Sequence, residues 1–67
     1  MDVKTLGRML RSRRKALGLT QQEAGDEAGV GIVFVSQVER GKETAEIGKV
    51  FSLIAALGFD VELKERP

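Results

Sequence analysis

Apolar positions along the chain recur at helical spacing in its first 58 residues and at strand spacing only after them. Val3, Leu6, Leu10 and Leu17 line one face of a helix over roughly 3–17. Thr20-Gln21-Gln22-Glu23 is a T-x-x-E capping box, in which Thr20 and Glu23 satisfy free amides reciprocally and open a second helix that stops at Gly29. A third helix is expected from about 31 to 40, and a fourth over about 45–57 with Thr44 as its N-cap. Gly18, Gly29, Gly41 and Gly58 fall where these segments stop, the glycine signature of helix C-termini.

Two apolar surfaces exceed what a small core needs. In the fourth helix Ile47, Val50, Phe51, Leu53, Ile54 and Leu57 cover about half the circumference at 3.6 residues per turn, which predicts that something else covers part of it. The stretch GVGIVFVSQVERGK (29–42) carries Ile32, Val33, Phe34 and Val35 in succession. Helical spacing turns Val35 and Val38 inward, with Val30 ahead of them, and leaves Ile32 and Val33 pointing out.

Beyond Gly58 the period changes to two: Phe59-Asp60-Val61-Glu62-Leu63-Lys64 alternates apolar and charged. A lone strand leaves its backbone groups unpaired, and the simplest partner is the same strand of a second copy about a two-fold axis. An antiparallel register centred on Glu62 would set Asp60 opposite Lys64 and Val61 opposite Leu63. The expected dimer surface comprises Val50, Leu53, Leu57, Phe59, Val61 and Leu63.

Length sharpens this expectation. A chain of 67 residues makes one small domain, whose core rarely supplies more than about 3–5 kcal/mol unaided. Cysteine and histidine are both absent, so neither a disulfide nor a zinc site is expected, and association with another chain is the remaining staple. The usual catalytic base and nucleophile are missing with them, and no P-loop or Rossmann glycine spacing appears, so an enzyme is not expected and no cofactor is implied. No apolar run approaches a membrane span or a signal peptide, which fits a cytoplasmic protein. Net charge is only +1, yet Lys4, Arg8, Arg11, Arg13, Arg14 and Lys15 form a basic block without an intervening acid, which hints at an anionic partner.

The second and third helices, joined by a few residues around Gly29, have helix-turn-helix spacing, in which the second of the two lies in the DNA major groove. The stretch LGRMLRSRRKALGLTQQEAGDEAGVGIVFVSQVERGK resembles the helix-turn-helix domains of the XRE class, which include the lambdoid-phage repressors. Its marks are Gly18-Leu19-Thr20-Gln21, Gly29-Val30 and Val38-Glu39-Arg40-Gly41. More narrowly, FVSQVERGKETAEIGKVFSLIAALGFDVEL looks like the HipB-like, Y4mF-type antitoxins of toxin–antitoxin pairs. The resemblance implies an all-α, lambda-repressor-like bundle of about four helices with a C-terminal β-strand pairing across a dimer. Residues 1–58 would be the DNA-binding domain and 59–67 the dimerisation strand and tail. It implies a homodimer on a palindromic double-stranded DNA operator, repressing its own operon and neutralising a HipA-like serine/threonine kinase toxin.

Residue roles follow from the same likeness. Ile32, Val33 and Gln37 stand at base-reading positions; Thr20, Gln21, Arg11 and Lys42 are phosphate candidates. Gln21 sits on the first turn of its helix, where free amides and the dipole favour an anion. Arg14 and Glu39 match a partly buried ion pair in the phage repressors, so Arg14 is structural rather than a DNA-binding cation. Phe34, at the shoulder, has a packing role. Apolar side chains make no bidentate hydrogen bonds to bases, so Ile32 and Val33 are expected to touch thymine methyl groups while Gln37 pairs with adenine, giving an A·T-containing half-site.

The chain also departs from its relatives. Ala24, Gly25 and Ala28 are small where larger residues are common, which either weakens the second helix or lets it approach the third closely. Gly31 gives up a side-chain cap, and Gly48 carries a helix-interior penalty. Two other functions compete: a protein-binding module that sequesters a partner with DNA secondary, and a phage-type repressor, for which little chain remains to build an induction domain.

Overall fold

A computed structural model describes residues 1–67 as four helices and no strand. These are α1 (Val3–Ala16), α2 (Gln21–Ala28), α3 (Ile32–Glu39) and α4 (Ile47–Ala56). Asp2 caps α1, its carboxylate accepting from the Thr5 backbone N–H at 2.7 Å. The capping box at α2 is complete: the Glu23 N–H donates to Thr20 Oγ1 at 3.1 Å, and the Thr20 N–H donates to Glu23 Oε1 at 2.9 Å. Gly31 starts α3 without a side-chain cap, as its lack of a side chain requires.

Three local expectations are corrected. Thr44 is not the cap of α4: residues 41–46 carry the chain past the start of α1, with Gly41 against Lys4, and the helix begins only after Glu46, again without a side-chain cap. Leu17 is the C-cap of α1 rather than part of its inner face, and is 44% exposed because the helix has already ended at Ala16. Val50, Leu53 and Leu57, expected at a dimer surface, belong to the chain's own core at 5%, 0% and 1% exposure. They have almost no area left to offer a second copy. On α4 that area lies on Ile47 and Phe51, which are exposed.

All four helices end alike. Gly18, Gly29, Gly41 and Gly58 have φ between 72° and 86°. The residue after each donates its N–H back to a carbonyl five positions earlier, as in Leu19 to Arg14 and Lys42 to Gln37, both at 3.1 Å. This is the Schellman ending, and it needs a left-handed residue that only glycine adopts without strain.

The core is built from Leu10 of α1, Ala24 of α2, Val35 and Val38 of α3, and Val50, Leu53, Ile54 and Leu57 on and just after α4. Leu6, Leu19, Val30, Phe34 and Phe59 pack around it. Small residues set the helix approaches. A Cβ on Gly7 would lie 2.5 Å from the Val38 carbonyl oxygen, so α1 meets the end of α3 backbone to backbone. A Cβ on Gly25 would lie 2.7 Å from the Val30 carbonyl oxygen, so this glycine permits the tight turn from α2 into α3. Arg13 ties the far end of the bundle, its Nε donating to the Leu57 carbonyl at 2.9 Å and its guanidinium lying 6.0 Å from the centre of the Phe59 ring.

Residues 59–67 form no ladder within the chain, so the period-two segment finds no partner inside the molecule. Val61 is 54% and Leu63 94% exposed. Together with Met1, Leu6, Met9, Phe51, Ile54 and Phe59 they line an apolar groove of about 350 Å³ between the tail, α1 and α4.

Two glycines should respond oppositely to alanine. Gly7→Ala forces backbone apart and should cost about 1–3 kcal/mol in chemical denaturation. Gly48→Ala meets nothing within 4 Å and should add about 0.5–1 kcal/mol.

Candidate nucleic-acid interface

The turn between α2 and α3 is held by Gly29 in the left-handed region and by the Val30 N–H donating to the Gly25 carbonyl at 2.9 Å. With Val35 and Val38 buried beneath it, α3 turns its opening residues outward: Ile32 is 43% and Val33 65% exposed. The consecutive apolar run thus divides by helical phase, two residues into solvent and Val35 into the core. Phe34 packs at the edge of the core, with Lys49 Nζ 6.0 Å from its ring centre.

Beside Ile32 lies an open polar hollow of about 640 Å³. Arg11 and Arg14 of α1, Thr20, Gln21 and Gln22 at the start of α2, and Ser36, Glu39 and Arg40 on or next to α3 complete its lining. The start of α2 borders the same region through Thr20, Gln21 and Gln22, and free N–H groups and the dipole at a helix start favour an anion. Thr20 uses its hydroxyl oxygen as an acceptor for the helix cap.

The floor of the hollow is an ion pair. Arg14 Nε donates to Glu39 Oε2 at 2.6 Å and Arg14 Nη2 to Glu39 Oε1 at 3.0 Å, a two-pronged guanidinium–carboxylate contact. Arg14 Nη1 donates to the Leu19 carbonyl at 2.9 Å, and Gln21 Nε2 donates to Glu39 Oε1 at 3.2 Å. Both residues are 8% exposed. Burial pushes the Glu39 carboxyl up, but the hydrogen bonds from Arg14 and Gln21 and the nearby charges of Arg14 and Arg11 outweigh it and hold the group below its ordinary range. The hydrogen bond to Glu39 raises the Arg14 guanidinium despite burial. The charge on Arg14 is therefore matched within the fold.

The remaining candidates divide by position. Arg11 is exposed at the rim of the hollow. Lys42 lies just past α3 and donates its ammonium to Gln37 Oε1 at 3.3 Å. Gln37 stands one turn beyond Val33, half-buried. The basic block of α1 disperses: Arg13 turns to the C-terminus of α4, Arg8 donates to Thr5 at 3.3 Å, and only Arg11 and Arg14 line the hollow. Ser36 and Arg40 were not singled out from the sequence, although they follow Ile32 at four-residue intervals and share its helix face.

This geometry coincides with a match of residues 5–66 to a family model described as a helix-turn-helix domain. The chain belongs to the helix-turn-helix transcriptional regulators of the XRE class. It is 40% identical over 58 residues, 87% of its length and 76% of the relative's, to the uncharacterized HTH-type transcriptional regulator y4mF of Sinorhizobium fredii. Among solved structures it superposes on the restriction-modification controller protein C.AhdI from Aeromonas hydrophila, with TM-score 0.77 and 30% identity over 88% of this chain and 86% of that one. A chain of a HipA-HipB-O2-O3 complex shares the fold over 100% of this chain and 94% of its own, at TM-score 0.89 and 18% identity. α2, the turn and α3 are the helix-turn-helix of a family of DNA-binding regulators rather than enzymes.

Removing Arg14 strands a buried carboxylate, so Arg14→Ala should cost about 3–5 kcal/mol in thermal or urea unfolding. The depressed Glu39 carboxyl gives the fold stability that is present above the ordinary value of 4.5 and lost as pH falls through the lower, folded-state value. Melting temperature should therefore fall on acidification below about pH 4.5, more steeply in the wild-type chain than in Glu39→Gln, which starts less stable.

Proposed function

We propose that this regulator is a homodimeric repressor that reads a palindromic operator with Ile32, Val33 and Gln37. One observation carries the reading: Ile32 and Val33 stand exposed at the start of α3, and Ile32 borders a hollow lined by the start of α2 and by Arg11 and Arg40. Ile32 and Val33 contact thymine methyl groups, and Gln21, Thr20, Arg11 and Lys42 hold phosphates on either side.

The dimer uses the tail. Its unpaired backbone and exposed Val61 and Leu63 meet the same segment of a second copy, while Phe51, Met9 and Phe59 supply the apolar floor. The two α3 helices then lie about one DNA turn, ~34 Å, or a multiple of it apart. Likeness of residues 34–63 to HipB-like antitoxins supports a narrower role, in which the dimer represses its own operon and neutralises a kinase toxin in the cytoplasm.

Selection from a randomised duplex pool at moderate salt should return a palindrome with A·T pairs beneath Ile32 and Val33. Affinity should fall steeply with ionic strength, as phosphate-driven binding does. Retention without sequence preference, or binding indifferent to salt, would favour instead a module that sequesters a protein partner. Sedimentation at micromolar concentration should give twice the chain mass, and Val61→Asp with Leu63→Asp should return the monomer and weaken operator binding.

A further inference from the structure

Gln37, which the proposed complex sets against the bases, has an unusual neighbour. The Schellman ending of α3 places Lys42 directly over it: the Gly41 N–H donates to the Val38 carbonyl at 3.0 Å, and the Lys42 N–H donates to the Gln37 carbonyl at 3.1 Å. In such endings the residue at the Lys42 position commonly makes an apolar contact with the residue at the Gln37 position. Here that contact is a hydrogen bond, from Lys42 Nζ to Gln37 Oε1 at 3.3 Å. Gln37 makes no other side-chain hydrogen bond.

We propose that Lys42 is a specificity-determining positioning residue, which orients the Gln37 amide so that its NH2 end faces the DNA. An ammonium carries three donors and no acceptor, so only the oxygen of the amide can face it. The amide is planar, and turning its oxygen toward Lys42 turns its nitrogen away. The two Nε2 hydrogens then meet acceptors, which in the major groove are N7 and O6 of guanine, O4 of thymine and N7 of adenine; on adenine the neighbouring N6–H2 is a donor, which leaves a single contact there against two on guanine. The bidentate contact of glutamine with adenine needs both oxygen and nitrogen presented to the same base edge, and Lys42 draws the oxygen aside. At the position that Gln37 reads, the regulator therefore prefers guanine or thymine to adenine, which revises the expectation drawn from glutamine alone. Gly41 completes the device. Its φ of 86° makes the ending possible, and its position against Lys4 fixes where Lys42 departs.

The inference rests on the operator-binding reading, and one experiment separates the two. Wild type, Lys42→Met and Gln37→Ala are each taken through selection on randomised duplex DNA, with affinities then measured on duplexes differing at single pairs. Lys42 is exposed, so Lys42→Met should fold, and circular dichroism checks it. Gln37→Ala should relax preference at one pair per half-site, which locates the base that Gln37 reads. At that pair the wild type should favour guanine or thymine, and Lys42→Met should shift the preference toward adenine by about fivefold or more, with other positions unchanged. In a Gln37→Ala background, Lys42→Met should leave preference unaltered. Uniform weakening by Lys42→Met across all duplexes, with a shallower salt dependence and intact preference, would make Lys42 a phosphate contact only and overturn the inference. Unchanged preference in Gln37→Ala would overturn base reading by Gln37 itself.

Discussion

The contact between Arg14 and Glu39 joins the parts of the molecule that must stay in register. It takes two charges out of water, a cost that attraction offsets only when geometry is good and the remaining donors and acceptors are satisfied. Here the guanidinium engages both carboxylate oxygens, its third nitrogen binds the Leu19 carbonyl, and Gln21 adds a bond to Glu39. Arg14 belongs to α1, Glu39 ends α3, and Leu19 and Gln21 bracket the start of α2. One cluster thus sets the angle at which the two helices of the helix-turn-helix present themselves. It forms because Gly7 lets α1 come within backbone contact of the end of α3.

The polar hollow beside α3 is a consequence of that arrangement. Once Arg14 is spent inside, the charge of the hollow comes from Arg11 and Arg40, and the polar contacts come from Thr20, Gln21, Gln22 and Ser36. A dense basic block in the sequence becomes a sparse ring in space because α1 points successive residues around its axis. Arg13, one residue from Arg14, closes the opposite end of the bundle against Leu57 and Phe59. An overall charge of +1 says little about such a surface, since the field depends on which cations remain unmatched on one face.

Apolar surplus is partitioned by the same geometry. The wide stripe of α4 supplies both the core and an exposed edge at Ile47 and Phe51. That edge continues through Met9 to Val61 and Leu63, and the chain exposes nine large apolar side chains against eight buried apolar ones. Covering them is how a chain of this size would gain stability beyond its own core.

Local signals were legible in the amino-acid order because each acts over a few residues. The Thr20–Glu23 box, the four glycine endings, the inward Val35 and Val38 and the outward Ile32 and Val33 all follow from hydrogen bonds or helical phase within one turn. Four helices, their stops and an apolar opening to α3 can all be read from the order of residues. It misplaced Leu17, Thr44 and the burial of Val50, Leu53 and Leu57, and it passed over Ser36, Arg40 and the bond from Lys42 to Gln37. Those depend on how far one helix is rotated and advanced against another, which is set by packing between residues distant along the chain. Tertiary structure decided which apolar residues were core and which were surface, and which cations were already taken. Burial and charge pairing are properties of neighbours in space, and periodicity along one helix cannot specify them.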